Sequence, residues 1–148
     1  MKSYTFEEIK QKMMAYCTYQ DRCHQEVEQK MRDFLLIPEA KEEILLFLMQ
    51  EKYLNEERFT RSYIRGKFSI KSWGRNKISN HLRQKGVPDK LIQNCFDEID
   101  PAAYERVLAK TYERYFDAQK GLAYQKRSKT IRYLLSRGFE YEEILKLE

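Results

Sequence analysis

Two stretches of this chain carry the same punctuation. Ile78, Leu82, Gly86 and Val87 recur as Thr130, Leu134, Gly138 and Phe139, a constant 52 residues further on. In each stretch a leucine stands four residues before a glycine, and a basic residue, Lys85 or Arg137, directly precedes that glycine. A fainter copy that lacks the glycine runs from Val27 through Met31, with Met31 lying 51 residues before Leu82. Self-similarity at a fixed period of this kind marks stacked units that cannot bury their apolar faces alone. The local chemistry agrees. Leu82 and Leu134 fit the inner face of a helix, and the glycines fit the left-handed residue that ends it. A cation just before the glycine suits the negative end of the helix dipole.

The repeat divides the chain into units at 1–52, 53–99 and 100–148, each read as three helices. The fold expected is all-α: three tandem three-helix repeats in an elongated, curved array. In the first unit, Phe6, Ile9, Met13, Tyr16 and Cys17 form one helical stripe. A second helix is expected from an Asp21 N-cap to Phe34. A third begins near Pro38 and carries Ile44, Leu45, Phe47, Leu48 and Met49. Asn55 is the expected N-cap of the second unit, whose first helix breaks between Ser69 and Gly74. Asp100 followed by Pro101 opens the third unit, and its long first helix breaks near Gly121. With five glycines and three prolines in 148 residues, little in the chain interrupts helices. Alternating runs such as Phe68 to Ile70 are too short to argue for strands.

Charge is distributed unevenly over these units. The net values are −2, +5 and +2 in chain order, which gives the array a polarity. From Arg58 to Pro88 there are nine cations and no Asp or Glu: Arg58, Arg61, Arg65, Lys67, Lys71, Arg75, Lys77, Arg83 and Lys85. Cations without local acids predict a polyanion or an acidic protein surface as partner. Arg61 and Arg65 are four apart and share a helix face. Lys71, Arg75 and Lys77 surround a turn that holds Trp73, the only tryptophan. Trp73 either stacks on a base, anchors an interface, or plugs the space between two helices. A second cluster, Lys126, Arg127, Lys129, Arg132 and Arg137, has Tyr124 and Tyr133 among it. The competing reading of such charge runs is a solvated helix face.

The remaining residues narrow the function classes. Cys17, Cys23 and Cys95 have no knuckle spacing, so buried thiols are expected and no metal site or cofactor. No nucleophile–base pair or phosphate loop is visible, and the chain is expected not to be an enzyme. No apolar run approaches the roughly 20 residues of a membrane span, and the first residues lack a secretion signal's apolar core. A cytoplasmic monomer is expected.

Three blocks carry a family resemblance: Tyr53, Leu54, Asn55, Glu56, Glu57, Arg58, Phe59; then Gly74, Arg75, Asn76, Lys77, Ile78; then Leu82, Arg83, Gln84, Lys85, Gly86, Val87. Together they resemble the RecX family of bacterial regulatory proteins. Arg137, Gly138 and Phe139 also fit, and Lys52 stands where the family's pattern carries glycine. The resemblance spans nearly the whole chain and is strongest from Tyr53 to Val87. It implies a three-repeat helical protein that binds the RecA recombinase and its filaments on single-stranded DNA. It implies restraint of filament growth, ATP hydrolysis, co-protease action and strand exchange, within DNA repair and recombination. The single-stranded DNA backbone is a further candidate contact. The alternative is a helical DNA- or RNA-binding protein that reads no sequence and has no recombinase partner.

Overall fold

The computed structural model describes residues 3–147, and these are helical apart from turns and connections. The first repeat comprises α1 (Phe6–Tyr19), α2 (His24–Met31) and α3 (Pro38–Gln50). The second comprises α4 (Glu56–Ser69), α5 (Arg75–Gln84) and α6 (Asp89–Cys95), with a 3-10 turn at Phe96–Glu98. The third comprises α7 (Pro101–Ala118), α8 (Ala123–Ser136) and α9 (Tyr141–Leu145). The class is therefore all-α, built from three-helix repeats.

The helix boundaries follow from cap chemistry. The Asn55 side chain accepts from Arg58 N at 2.9 Å, and Asp100 accepts from Ala103 N at 3.1 Å ahead of Pro101. Each satisfies one of the donors a helix start leaves without a partner. Gly86 and Gly138 adopt φ of 83° and 96°. Immediately after them, Val87 N donates to Leu82 O and Phe139 N to Leu134 O, both at 3.1 Å. The two ends are the same motif, as the 52-residue repeat demands.

One boundary differs from expectation. α2 is capped by Cys23, not Asp21, and ends at Met31 instead of Phe34. Glu26 reaches back to accept from Cys23 N at 3.1 Å. Asp21 is thereby released from capping. It accepts instead from Arg58 Nε at 2.7 Å and from Ser62 Oγ at 2.8 Å, which ties the first repeat to α4.

There are two apolar cores. The first repeat closes its own, around Met13, Val27, Met31, Ile44, Leu48 and Leu54. Of the stripes expected there, Phe6, Tyr16, Leu45 and Phe47 are only partly covered, and Met49 is exposed. The second and third repeats share the other core. Ile64, Ile78, Leu82 and Ile92 meet Tyr104, Leu108, Leu134, Phe139 and Ile144 in one continuous cluster, which Cys23 joins from the first repeat. All three cysteines are buried thiols. Leu82 and Leu134 are both fully buried, each burial contributing about 2 kcal/mol.

The joint between the second and third repeats is made by backbone. Gly74 N donates to Arg137 O at 2.8 Å, and Asn76 N to Gly138 O at 2.9 Å. The start of α5 thus takes the carbonyls left over at the end of α8. A Cβ at Gly74 would overlap the backbone of Gly138, so the approach requires glycine there. Behind this joint the buried Tyr104 hydroxyl donates to Glu140 and accepts from Arg75 N at 3.1 Å. Burial, reinforced by the Glu140 hydrogen bond, pushes the Tyr104 phenol far above its usual range.

Candidate functional site

The stretch without acids is not without acidic partners once the chain folds. Carboxylates from outside the stretch neutralise six of its nine cations. Arg58 pairs with Asp21 and Arg83 with Asp89, while Arg75 meets Glu140 at 2.9 Å and Lys85 meets Glu26 at 3.7 Å. Arg61 contacts Asp97 at 2.5 Å and Glu98 at 3.2 Å, and Arg65 contacts the other oxygen of Glu98 at 2.8 Å. The hydrogen bonds from Arg65 and Arg61 outweigh desolvation and hold the Glu98 carboxyl below the usual range. At Asp21, burial pushes upward, but the Ser62 and Arg58 hydrogen bonds prevail and its pKa is lowered. The sequence reading of uncompensated charge over Arg58 to Pro88 is corrected accordingly. Local absence of acids says nothing about acids that the fold delivers from later in the same repeat, as with Asp89, Asp97 and Glu98, or from the neighbouring repeats, as with Asp21, Glu26 and Glu140.

Three cations of the stretch remain: Lys67, Lys71 and Lys77 make no ion pair with the described residues. Lys67 and Lys77 lie over the Trp73 ring, at 5.0 and 4.6 Å from its centroid, and His81 packs against it at 4.6 Å. Trp73 is partly buried against the shared core, so it works as a plug that carries cations on its outer side. Burial, then Lys77, Lys67 and Lys85, lower the His81 pKa below the ordinary histidine value. His81 is thus held neutral amid ammonium groups.

Lys71 points elsewhere, into a cleft of about 350 Å³ between the end of α4 and helices α7 and α8. Arg114, Tyr115, Tyr133 and Arg137 line it too, with Ser72 and Thr111. Tyr115 and Tyr133 stack at 4.0 Å with their ring planes nearly parallel, 6° apart. On the far side of that pair a shallower depression of about 380 Å³ is lined by Lys129, Arg132 and Ser136. No carboxylate lines either hollow among the described residues. Five cations therefore surround one aromatic pair. Arg137 also donates to Lys71 O, which fixes the wall between the repeats. Lys71 can reach this position because Ser72 takes a left-handed turn at φ 55°, ending α4 abruptly.

The structure thus brings together Lys71 from one predicted cluster and Lys129, Arg132 and Arg137 from the other. It sets apart Lys126, which lies over the Phe116 ring at 4.3 Å. Arg127 lies on the exposed side of α8 and does not line the cleft. Sequence reasoning missed Arg114 and Tyr115 as members of a site. The signal was present: Thr111, Arg114, Tyr115 and Ala118 follow the spacing of one helical face. Chemically, such a cleft receives phosphate or carboxylate groups, with stacked rings offering an apolar face beside them.

No helix among the described residues is long and apolar enough to cross a membrane. Repeated three-helix units, with an acid-free cluster of cations where the last two meet, define a helical-repeat protein. Comparison with known proteins makes the family explicit. The RecX second three-helix domain matches residues 55–95, and the RecX third three-helix domain matches 103–147. The regulatory protein RecX of Serratia proteamaculans is 37% identical over 109 residues, which is 72% of this chain and 62% of that protein. Its counterpart in Yersinia enterocolitica is 35% identical over 107 residues, 72% of this chain and 63% of that protein. The aligned part thus spans somewhat under two thirds of the curated relatives. Among solved structures, RecX from Lactobacillus salivarius superposes with a TM-score of 0.87 at 22% identity, covering 96% of this chain and 93% of that one. A second RecX crystal structure gives a TM-score of 0.85 at 21% identity, covering 96% and 72%. The chain belongs to the RecX family, whose matched relatives are named regulatory proteins.

Proposed function

We propose that this protein binds RecA and its filaments on single-stranded DNA and restrains their growth and ATP hydrolysis. Family membership supports the regulatory role. The observation that carries the assignment of a surface is the acid-free cleft around Tyr115 and Tyr133. Its cations come from the second and third repeats together, so a bound partner would bridge both. In this reading the protein is a binding module and not a catalyst. The paired cations serve mainly to hold the fold: Arg58, Arg75 and Lys85 tie one repeat to the next, and Arg61, Arg65 and Arg83 brace the second repeat internally. Lys71, Arg114, Lys129, Arg132 and Arg137 would face the partner, with Lys67 and Lys77 beside them.

The test is single-stranded-DNA-dependent ATP hydrolysis by the same organism's RecA, titrated with this protein and repeated with excess DNA. Changing Lys71, Arg114, Lys129 and Arg132 together to Ala is expected to weaken inhibition about tenfold or more at unchanged helicity. These four hold no ion pair with the described residues, so the substitution spares the fold. Unchanged inhibition would remove the cleft from the interface. One observation favours a second reading: a stacked tyrosine pair flanked by cations is also a platform for nucleobases. In that case added DNA relieves the inhibition completely, because the protein only competes for the strand.

A further inference from the structure

The first repeat carries a groove that the cleft does not use. Its volume is about 690 Å³, the largest of the described hollows, and α1 and α2 with the residues just after each form most of it. Aromatic rings make its apolar surface: Tyr4 and Phe34 meet edge to face at 5.6 Å, and Tyr16 and Tyr19 continue the wall. Tyr19 is 83% exposed, and so is Leu35, which follows Phe34. Cations are laid over these rings. The Lys12 ammonium stands 4.6 Å from the Tyr4 ring and the Arg22 guanidinium 3.7 Å from the Tyr16 ring. Arg22 Nε is fixed by Tyr16 O at 3.0 Å, so its remaining N–H groups have a set direction. Lys30 also lines the groove but is paired with Asp33 at 3.2 Å.

Charge complementarity decides the occupant. The lining holds three cations and one carboxylate, in a repeat whose overall balance is −2. Two cations, Lys12 and Arg22, stay without an acidic partner among the described residues. A polyphosphate strand would need a longer run of cations and would meet Asp33 on the wall. An apolar side chain flanked by one or two carboxylates matches what is there: rings for the anchor, Lys12 and Arg22 for the acids. We propose that this groove docks a short acidic peptide segment of a protein partner, anchored by an aromatic or large aliphatic side chain. The site lies apart from the cleft of the last two repeats, so both can be occupied at once. Two modest contacts on one chain then act through effective concentration.

The experiment is an amide chemical-shift titration of the full chain with a synthetic peptide carrying one phenylalanine between paired glutamates. Saturable shifts are expected at Tyr16, Tyr19, Arg22 and Phe34, with Thr111 and Tyr133 unmoved. Changing Lys12 to Glu and Tyr19 to Ala, two exposed positions, should weaken binding about tenfold or more. A glutamate-to-lysine version of the peptide should not bind. The proposal is overturned by the absence of saturable shifts, by equal binding to the double variant, or by equal binding of the lysine peptide. It is overturned equally if a thymidine oligonucleotide fills the groove in preference to the peptide.

Discussion

The two joints of this molecule occupy equivalent places and are built differently. Between the second and third repeats, the end of α8 meets the start of α5 through two backbone hydrogen bonds, over a glycine. Between the first and second, the end of α5 meets the start of α2 at the position 51 residues earlier, where Cys23 stands in place of Gly74. A side chain there keeps the backbones apart. Cys23 N turns to Glu26 in its own repeat, and the Gln25 side chain spans the gap to Gln84 O at 3.3 Å. The cation before the glycine crosses the joint in both cases, Lys85 to Glu26 and Arg137 to Lys71 O. One joint is therefore welded by main chain and a shared core. The other is laced by side chains, with Asp21 and His24 reaching Arg58 and Glu56. One missing Cβ separates the two solutions.

This contrast can be broken in order of severity. Gly74→Ala should cost about 3 kcal/mol or more, because the new Cβ meets backbone that cannot yield. Thermal unfolding would show it, and a loss below about 1 kcal/mol would mean the joint is looser than described. Leu134→Ala and Leu82→Ala truncate the core that crosses the welded joint, and each should lose about 2–5 kcal/mol in denaturant titration. Asp21→Ala should cost less, about 1 kcal/mol, since its partner Arg58 is 41% exposed and still bonds to Lys52 O and Tyr53 O. Its signature is local: hydrogen exchange should quicken in α1 and α2 while α5 and α8 stay protected. The smallest change goes the other way. Lys52 sits at φ 63°, where a side chain is unfavourable, so Lys52→Gly should stabilise by about 0.5 kcal/mol after glycine's own entropy is counted.

Much of the fold was legible because helix ends leave chemical marks. Asn55, Asp100 and Pro101, Gly86 and Gly138 each sit where their backbone preferences put them. Asp21 misled because an acid before a helix reads as a cap, while nothing local reveals a salt bridge 37 residues away. The site was harder for the same reason. Lys71 and Arg114 are far apart in the chain, and which cations stay unpaired depends on where Glu98, Asp89 and Glu140 land. Composition supplies the charges, and only packing decides which of them remain available.

Trp73 gives the molecule a built-in optical probe. It is the only indole, it directly precedes the glycine of the welded joint, and His81 rests against its ring. An imidazolium quenches an adjacent indole, whereas neutral imidazole does so weakly. Because burial and three lysines hold the His81 pKa down, emission should fall only below the usual histidine range of about 6.5. The indole and all three lysines belong to the second repeat, so unfolding that repeat would return the histidine to its ordinary behaviour and move the transition toward neutrality. The emission of a single residue would then report whether the second repeat is still folded, with no label added.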